Sequence, residues 1–334
     1  MKEVFIGIDV SKLNLDLCVL IGDKISQEVV ISNTISEITK FFKSLLKKHP
    51  VSEILVCSEH SGHYTYPLSC VCADLKLDFW LANPYHLKHS LCLRRGKNDS
   101  VDARRIAEYC ARFQDKAKLY SLPDAKIASL KILLRERDLY MSHKSTYQGQ
   151  LTDQQNFMSG ADFARKSERL QGLVAELDEN ISAIDKEIEK LIESDETLSN
   201  QKKLLCSVDG VSHKLATVML VFTNSFSDFV DGRSFCCYAG LAPFDYISGS
   251  SIFSKMKVSH KANKYLKSLL HLGALSAAIV KKEGELREYY LRKVAEGKNK
   301  MSMLNAIRAK IVLRMFAVIK ENRQYEKNYQ HTIA

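Results

Sequence analysis

Five apolar residues, Val4 to Ile8, run straight into a carboxylate at Asp9. The run is rich in β-branched side chains, which suit a pleated, buried strand. An acid at the end of such a strand is costly to bury unless it meets a counter-charge. The pattern that follows extends the constraint. Leu15 to Ile21 reads as a second strand and Glu28 to Ile31 as part of a third. Ile35 to Lys48 has helical periodicity, with Ile38, Phe41, Phe42, Leu45 and Leu46 on one side. Ile54 to Cys57 and Leu77 to Ala82 read as further buried strands. Asp99 to Phe113 reads as a helix whose apolar side is Val101, Ile106, Ala107 and Cys110. Three strands followed by helix–strand–helix–strand–helix predict a mixed α/β sheet.

That order is of RNase H type, and it assigns residues 1–118 to an α/β domain. The middle of the chain, 119–200, carries a different signal. Leu170, Val174, Leu177, Ile181, Ile184, Ile188 and Leu191 alternate steps of four and three, with acids and lysines between them. Such a heptad predicts a coiled-coil seam, in an intramolecular hairpin or a dimer contact, or the buried stripe of an ordinary amphipathic helix. The helix predicted from Ala125 to about Tyr147 is a candidate antiparallel partner. The last third, 201–334, reads as helical with short loops. Asp209-Gly210-Val211 lies between two apolar helical stretches, as in a helix-hairpin-helix-like element whose backbone N–H groups could face phosphate. For so short a string a plain connecting turn is the preferred reading.

Charge narrows the partners. There are 49 Lys and Arg against 39 Asp and Glu, a net charge of +10, which favours polyanions and above all nucleic acid. Nine cysteines without CxxC spacing suggest neither a disulfide framework nor a zinc ribbon, and reduced, mostly buried thiols in a cytosol are expected. The first apolar run is too short for a signal peptide, and no stretch reaches the roughly 18 apolar residues of a membrane span.

Four acids stand out. Asp9 ends the first strand, and Glu59 follows the strand ILVC. Ends of adjacent strands are where ligands collect in open α/β sheets. Asp99 and Asp102, in KNDSVDARR, are spaced i, i+3 and so share one helical face, with Cβ atoms roughly 5–6 Å apart. Hard carboxylate oxygens suit Mg2+, and a pair of such ions about 3.5–4 Å apart clamps the two oxygens of a phosphodiester displacement. Read separately, Asp99 and Asp102 are also ordinary helix-start residues.

In the last third, Gly and Pro bracket Ser248 within YAGLAPFDYISGS and place it on a loop. A serine hydroxyl needs a base or metal to become a nucleophile, and no His lies within a few residues; His260 is the nearest histidine. From Tyr246 to Lys282 there is no acid but seven lysines. Lys257, Lys261 and Lys264 are spaced for one helical face, and with Lys255 and Lys267 they form an expected footprint for a phosphate backbone. Arg94, Arg95, Lys97 and Arg104 add a second basic group beside the acids.

Taken in order, IGIDVSK, SEHSG, KNDSVDARRIAEY, VDGVSHKLATVML, YAGLAPFDYISGS and HKANKYLKSLL resemble the DEDD transposases of the insertion-sequence IS-one-ten family, which includes Piv-type DNA invertases. The likeness runs from about residue 3 to 275, and KxDxxDAR and GLAPxxxxSG are its specific strings. It implies a RuvC-like nuclease domain with Asp9, Glu59, Asp99 and Asp102 as catalytic metal ligands, Mg2+ as cofactor with Mn2+ able to substitute, and Ser248 as the residue that attacks DNA. It implies dimers or tetramers in which the acids of one subunit meet the serine of another, and a structured bridge RNA that selects the DNA. The chain departs from the family pattern at Ser212, where the hairpin has a second glycine, at Ser250-Ser251-Ile252-Phe253, and at Ala262. None of these touches the acids or Ser248; they bear on the loop around Ser248. The residues alone also fit a RuvC-like resolvase or nuclease that uses water, and a non-catalytic nucleic-acid-binding scaffold.

Overall fold

The computed structural model describes residues 2–90, 99–248, 252–258 and 262–326; the side chains of residues 99, 245–248 and 252–257 lie outside that description. The chain forms two compact units, Met1–Leu122 and Pro123–Ala334.

The first unit is built on a five-stranded mixed sheet of order β3-β2-β1-β4-β5. Strands β1 (Val4–Val10), β2 (Asn14–Ile21) and β3 (Lys24–Ser32) form an antiparallel meander because their connections are only a few residues long. Gly22, at a φ of 55° that a side chain resists, closes the β2–β3 turn. The longer connections contain helices and return the chain parallel. Helix α1 (Ile35–Leu46) precedes β4 (Ile54–Glu59), which runs parallel to β1. Helix α2 (Tyr66–Asp74) precedes β5 (Asp78–Ala82), which runs parallel to β4. After α3 (Pro84–Ser90), helix α4 (Asp99–Arg112) ends the α/β run.

Strand alternation divides two cores between the faces of this sheet. Ile6, Ile8, Leu15, Leu17 and Val56 pack with Ile38, Phe42 and Leu68 of α1 and α2. Phe5, Cys18, Leu55, Cys57 and Trp80 pack with Ala103, Ile106, Ala107 and Cys110 of α4. The second interface is tight. A Cβ built on Gly7 would stand 2.2 Å from the Ala103 carbonyl oxygen, so only a glycine lets α4 lie so close to β1.

The second unit begins with two long helices, α5 (Ala125–Asp153) and α6 (Gly160–Glu193). They pair antiparallel within the chain. Lys126 reaches Asp195 at 2.9 Å, Arg137 reaches Asp185 at 2.6 Å, and Lys166 reaches Gln150 at 3.0 Å, so early positions on one helix meet late positions on the other. Of the heptad positions, Ile181, Ile184 and Ile188 are buried, while Leu170, Val174 and Leu177 are half-buried.

The remaining helices are α7 (Glu196–Cys206), α8 (His213–Phe222), α9 (Gly232–Tyr238), α10 (Lys264–Leu275), α11 (Glu285–Ala295) and α12 (Lys300–Glu321). They bury a shared core that includes Leu205, Val218, Phe235, Leu270, Ile307, Ile311 and Met315. Between α9 and α10 the structure departs from the helical expectation. Strands β6 (Pro243–Ser248) and β7 (Ile252–Val258) form an antiparallel hairpin. Ser248 therefore ends a strand instead of occupying an irregular loop. Lys257 lies in β7, so it does not share a helical face with Lys264, the first residue of α10. The cause is local: Ile252, Met256 and Val258 fall on one alternating set of positions and Lys255 and Lys257 on the other, a period of two that favours a strand over a helix. Among the described residues, no helix is long and apolar enough to cross a membrane, and the eight cysteines are free.

Candidate active site

The placement of the acids follows from the fold of the first unit. Phe5 and Gly7 of β1 face α4, so alternation turns Asp9 to the same side. Leu55 and Cys57 of β4 also face α4, which does the same for Glu59. Ile8 and Ser58 are Cα partners in the parallel β1–β4 pair, so Asp9 and Glu59 follow one step later on adjacent strands. Ala103 lies against Gly7, and Asp102 precedes it at the N-terminal end of α4. Asp9, Glu59 and Asp102 are all half-buried. Asp99 is the first residue of α4, and its side chain lies outside the described residues.

The Asp102 carboxylate accepts a hydrogen bond from Arg105 Nη1 at 2.9 Å, an i, i+3 pair on the helix. A fifth acid was missed by the sequence reading. Asp16 of β2 is the direct antiparallel partner of Asp9, and opposed residues share a face. Its signal was weak, since Leu15-Asp16-Leu17 reads as plain alternation until the strand register is known. All these groups are carboxylates, the hard-oxygen donor set that Mg2+ or Mn2+ takes. Among the described residues, no three His, Cys, Asp or Glu side chains are gathered closely enough to hold an ion.

The basic residues fall in several places. Arg104 is engaged by Glu28 of β3 in a two-pronged ion pair, Nε to Oε1 at 2.9 Å and Nη2 to Oε2 at 3.0 Å. Lys264 is exposed at the start of α10 and Lys267 is half-exposed one turn later. Lys255 and Lys257 are in β7, with side chains outside the description, and Arg94, Arg95, Lys97 and Lys261 lie outside the described residues altogether.

In the second unit, Ser248 ends β6, with Ile252 as its partner across the hairpin, and its side chain lies outside the description. The segment entering β6 is firmly seated. The Leu241 N–H donates to the Cys236 carbonyl at 2.8 Å, and Gly240 turns the chain at a φ of 65°. The turn between α7 and α8 is also ordered. Gly210 has a φ of 88°, and its carbonyl oxygen lies so near α10 that a Cβ on Gly273 would stand 2.5 Å from it. Ser212 caps α8, its hydroxyl accepting from the Leu215 N–H at 3.2 Å. That cap is a local reason for a serine at this position.

A DEDD transposase profile matches residues 6–158, and the profile of the transposase IS116/IS110/IS902 family matches residues 202–291. The pilin gene-inverting protein of Moraxella bovis is 25% identical over 333 residues, covering 98% of this chain and 99% of its own length. Its counterpart in Moraxella lacunata matches over the same extent at 25%. An uncharacterised protein of the insertion element IS110 in Streptomyces coelicolor is 30% identical over 37% of this chain and 30% of its own. A solved T. thermophilus RuvC in complex with a Holliday junction substrate matches 35% of this chain and 99% of its own, at 15% identity and a TM-score of 0.27. The chain belongs to the IS110 family of transposases, enzymes of DNA recombination and transposition.

Proposed function

We propose that this chain cuts and rejoins DNA strands with two groups of residues, the carboxylates of the first unit and Ser248 of the second. The observation that carries this reading is the common facing of Asp9 and Glu59, at the ends of adjacent strands, toward the start of the helix that bears Asp99 and Asp102. Asp9, Glu59, Asp99 and Asp102 would hold Mg2+, for which Mn2+ can substitute. When bound, the cation supplies charge that polarises the scissile phosphate and lowers the pKa of an oxygen donor.

Ser248 attacks the phosphorus, forming an oxygen–phosphorus bond while the bond to the 3′ oxygen breaks. The serine proton is lost to a carboxylate, and the 3′ oxygen leaves as a hydroxyl. The reverse step, with a 3′ hydroxyl from a different strand, joins new partners. Lys255, Lys257, Lys261, Lys264 and Lys267, with Arg94, Arg95 and Lys97, would neutralise the phosphates of DNA and of a structured bridge RNA that selects the DNA. Arg104 would join them only by leaving Glu28. A dimer or tetramer would let the acids of one subunit serve the serine of another.

A labelled DNA carrying the recombination site tests this, with guide RNA transcribed from the DNA flanking the gene. The expected result is a denaturant-stable protein–DNA adduct that is lost in Ser248→Ala, in Asp9→Asn and in Glu59→Gln. Cleavage by Ser248→Ala at the wild-type rate, with no adduct in the wild type, would establish water as the nucleophile and overturn the serine reading.

A further inference from the structure

The segment entering β6 is held from α12 through a chain of contacts that ends at an arginine without an acid. Asn305 Nδ2 donates to the Leu241 carbonyl at 2.8 Å. One turn later on α12, Arg308 Nη1 donates to Asn305 Oδ1 at 3.4 Å, and Nη2 donates to His271 Nδ1 of α10 at 2.6 Å. Arg308 is only 6% exposed, and its Nε is buried without a partner. Among the described residues no carboxylate pairs with it. Burial pushes its pKa down, as expected for a cation in such a place.

A buried, unpaired guanidinium is an expensive way to fill space; an apolar side chain of similar size is often as good or better for stability. What it supplies is direction. Guanidinium only donates, so whatever atom it meets must accept. Facing Asn305, it fixes the amide oxygen toward itself and leaves the amide N–H2 for Leu241. His271 Nδ1 is an acceptor for the same reason.

We infer that Asn305, oriented by Arg308, is a positioning residue for strand transfer, because it sets the direction in which β6 leaves the helical core and so where Ser248 is presented. This rests on Ser248 being the nucleophile. The lever is long: from Leu241 to Ser248 the chain spans about 20 Å at strand rise. A tilt of about 10° at Leu241 would displace Ser248 by about 4 Å over that span, and a 1 Å error at the reacting atoms can cost about 100-fold in rate.

Asn305→Asp separates positioning from folding. The new carboxylate has nearly the same shape and gives Arg308 its missing counter-charge, so the fold is kept. It cannot donate to Leu241, whose carbonyl it would repel. In the full-length protein with its nucleic acids, three quantities are read: the thermal midpoint, the amide hydrogen exchange of Phe244–Ile247, and the single-turnover rate of adduct formation at saturating DNA. The expected result is an unchanged or raised midpoint, DNA affinity within about twofold, faster exchange in β6, and an adduct rate reduced by about 30-fold or more. Arg308→Met, which removes the director and keeps an apolar filler, should show the same loss. Wild-type exchange and a wild-type adduct rate in both variants would overturn the inference. If the wild type forms no adduct at all, the nucleophile reading fails. The exchange measurement then still decides whether Asn305 holds β6, so the two failures are distinguishable.

Discussion

Gly7 and Ala107 touch through their backbones: a Cβ added to Gly7 would stand 2.1 Å from the Ala107 amide nitrogen. No side-chain adjustment can relieve a clash with main chain, so Gly7→Ala must push α4 off β1. The expected cost is about 3 kcal/mol or more, at or beyond the upper range for overpacked sites. Urea unfolding followed through Trp80, the only tryptophan, which packs in the same layer, would report it. A variant as stable as wild type would show that α4 does not depend on this close approach.

In the proposed metal site, Arg105 would compete with a cation for Asp102, with which it pairs at 2.9 Å. An i, i+3 ion pair at a partly exposed helix surface contributes about 0.3–0.5 kcal/mol. Arg105→Gln should therefore tighten Mn2+ binding by roughly twofold, as measured by calorimetry in the absence of DNA. Weaker binding would place Arg105 among the supports of the acids instead of against them.

Asp195 ties the base of the long helical pair to α7. Its carboxylate accepts from the Leu198 N–H at 3.0 Å and pairs with Lys126, and these contacts, the backbone one first, hold its pKa below the ordinary 3.8. A depressed carboxyl contributes stability above its unfolded pKa and loses it as pH falls through the lower, folded value. Asp195→Ala should thus cost about 1 kcal/mol from about pH 5 to 7. The difference from wild type should shrink below pH 3.8. Guanidinium unfolding at pH 7 and pH 3 measures it, and a difference constant across that range would contradict the capping role.

Ser212 caps α8, its hydroxyl accepting from the Leu215 N–H. Ser212→Gly should lower stability by only a few tenths of a kcal/mol, and Ser212→Ala by about 1 kcal/mol. Equal effects from the two would remove the cap as the explanation.

Elements whose pattern depends only on neighbours along the chain were legible in the sequence. The strands β1, β2 and β4 and the apolar faces of α1 and α4 follow from alternation or helical spacing; Ile106, Ala107 and Cys110 of α4 are in the core as expected, whereas Val101 is half-buried outside it. The placing of Asp9 and Glu59 at the ends of strands could be anticipated from the sequence, whereas the pairing of Asp16 with Asp9 required the β1–β2 register. The β6–β7 hairpin was hidden by its lysines. The spacing of Lys257, Lys261 and Lys264 suggested a helix, while the alternation of Lys255 and Lys257 with Met256 and Val258 favoured a strand and prevailed. The bond from Asn305 to Leu241 joins residues 64 apart, and nothing local announces it.

The paired helices α5 and α6 behave as a boom. At 1.5 Å per residue, the 29 residues of α5 reach about 43 Å, and the tip carries Phe157 with 85% of its surface bare. Rotation accumulates at 100° per residue along such a boom, so removing one residue from α5 would swing everything beyond the cut by more than a quarter turn. Removing seven restores the phase to within about 20°. Shortening both helices by a matched heptad should leave the tip facing as before and only draw it inward, whereas a deletion of one, two or five residues should twist it out of register.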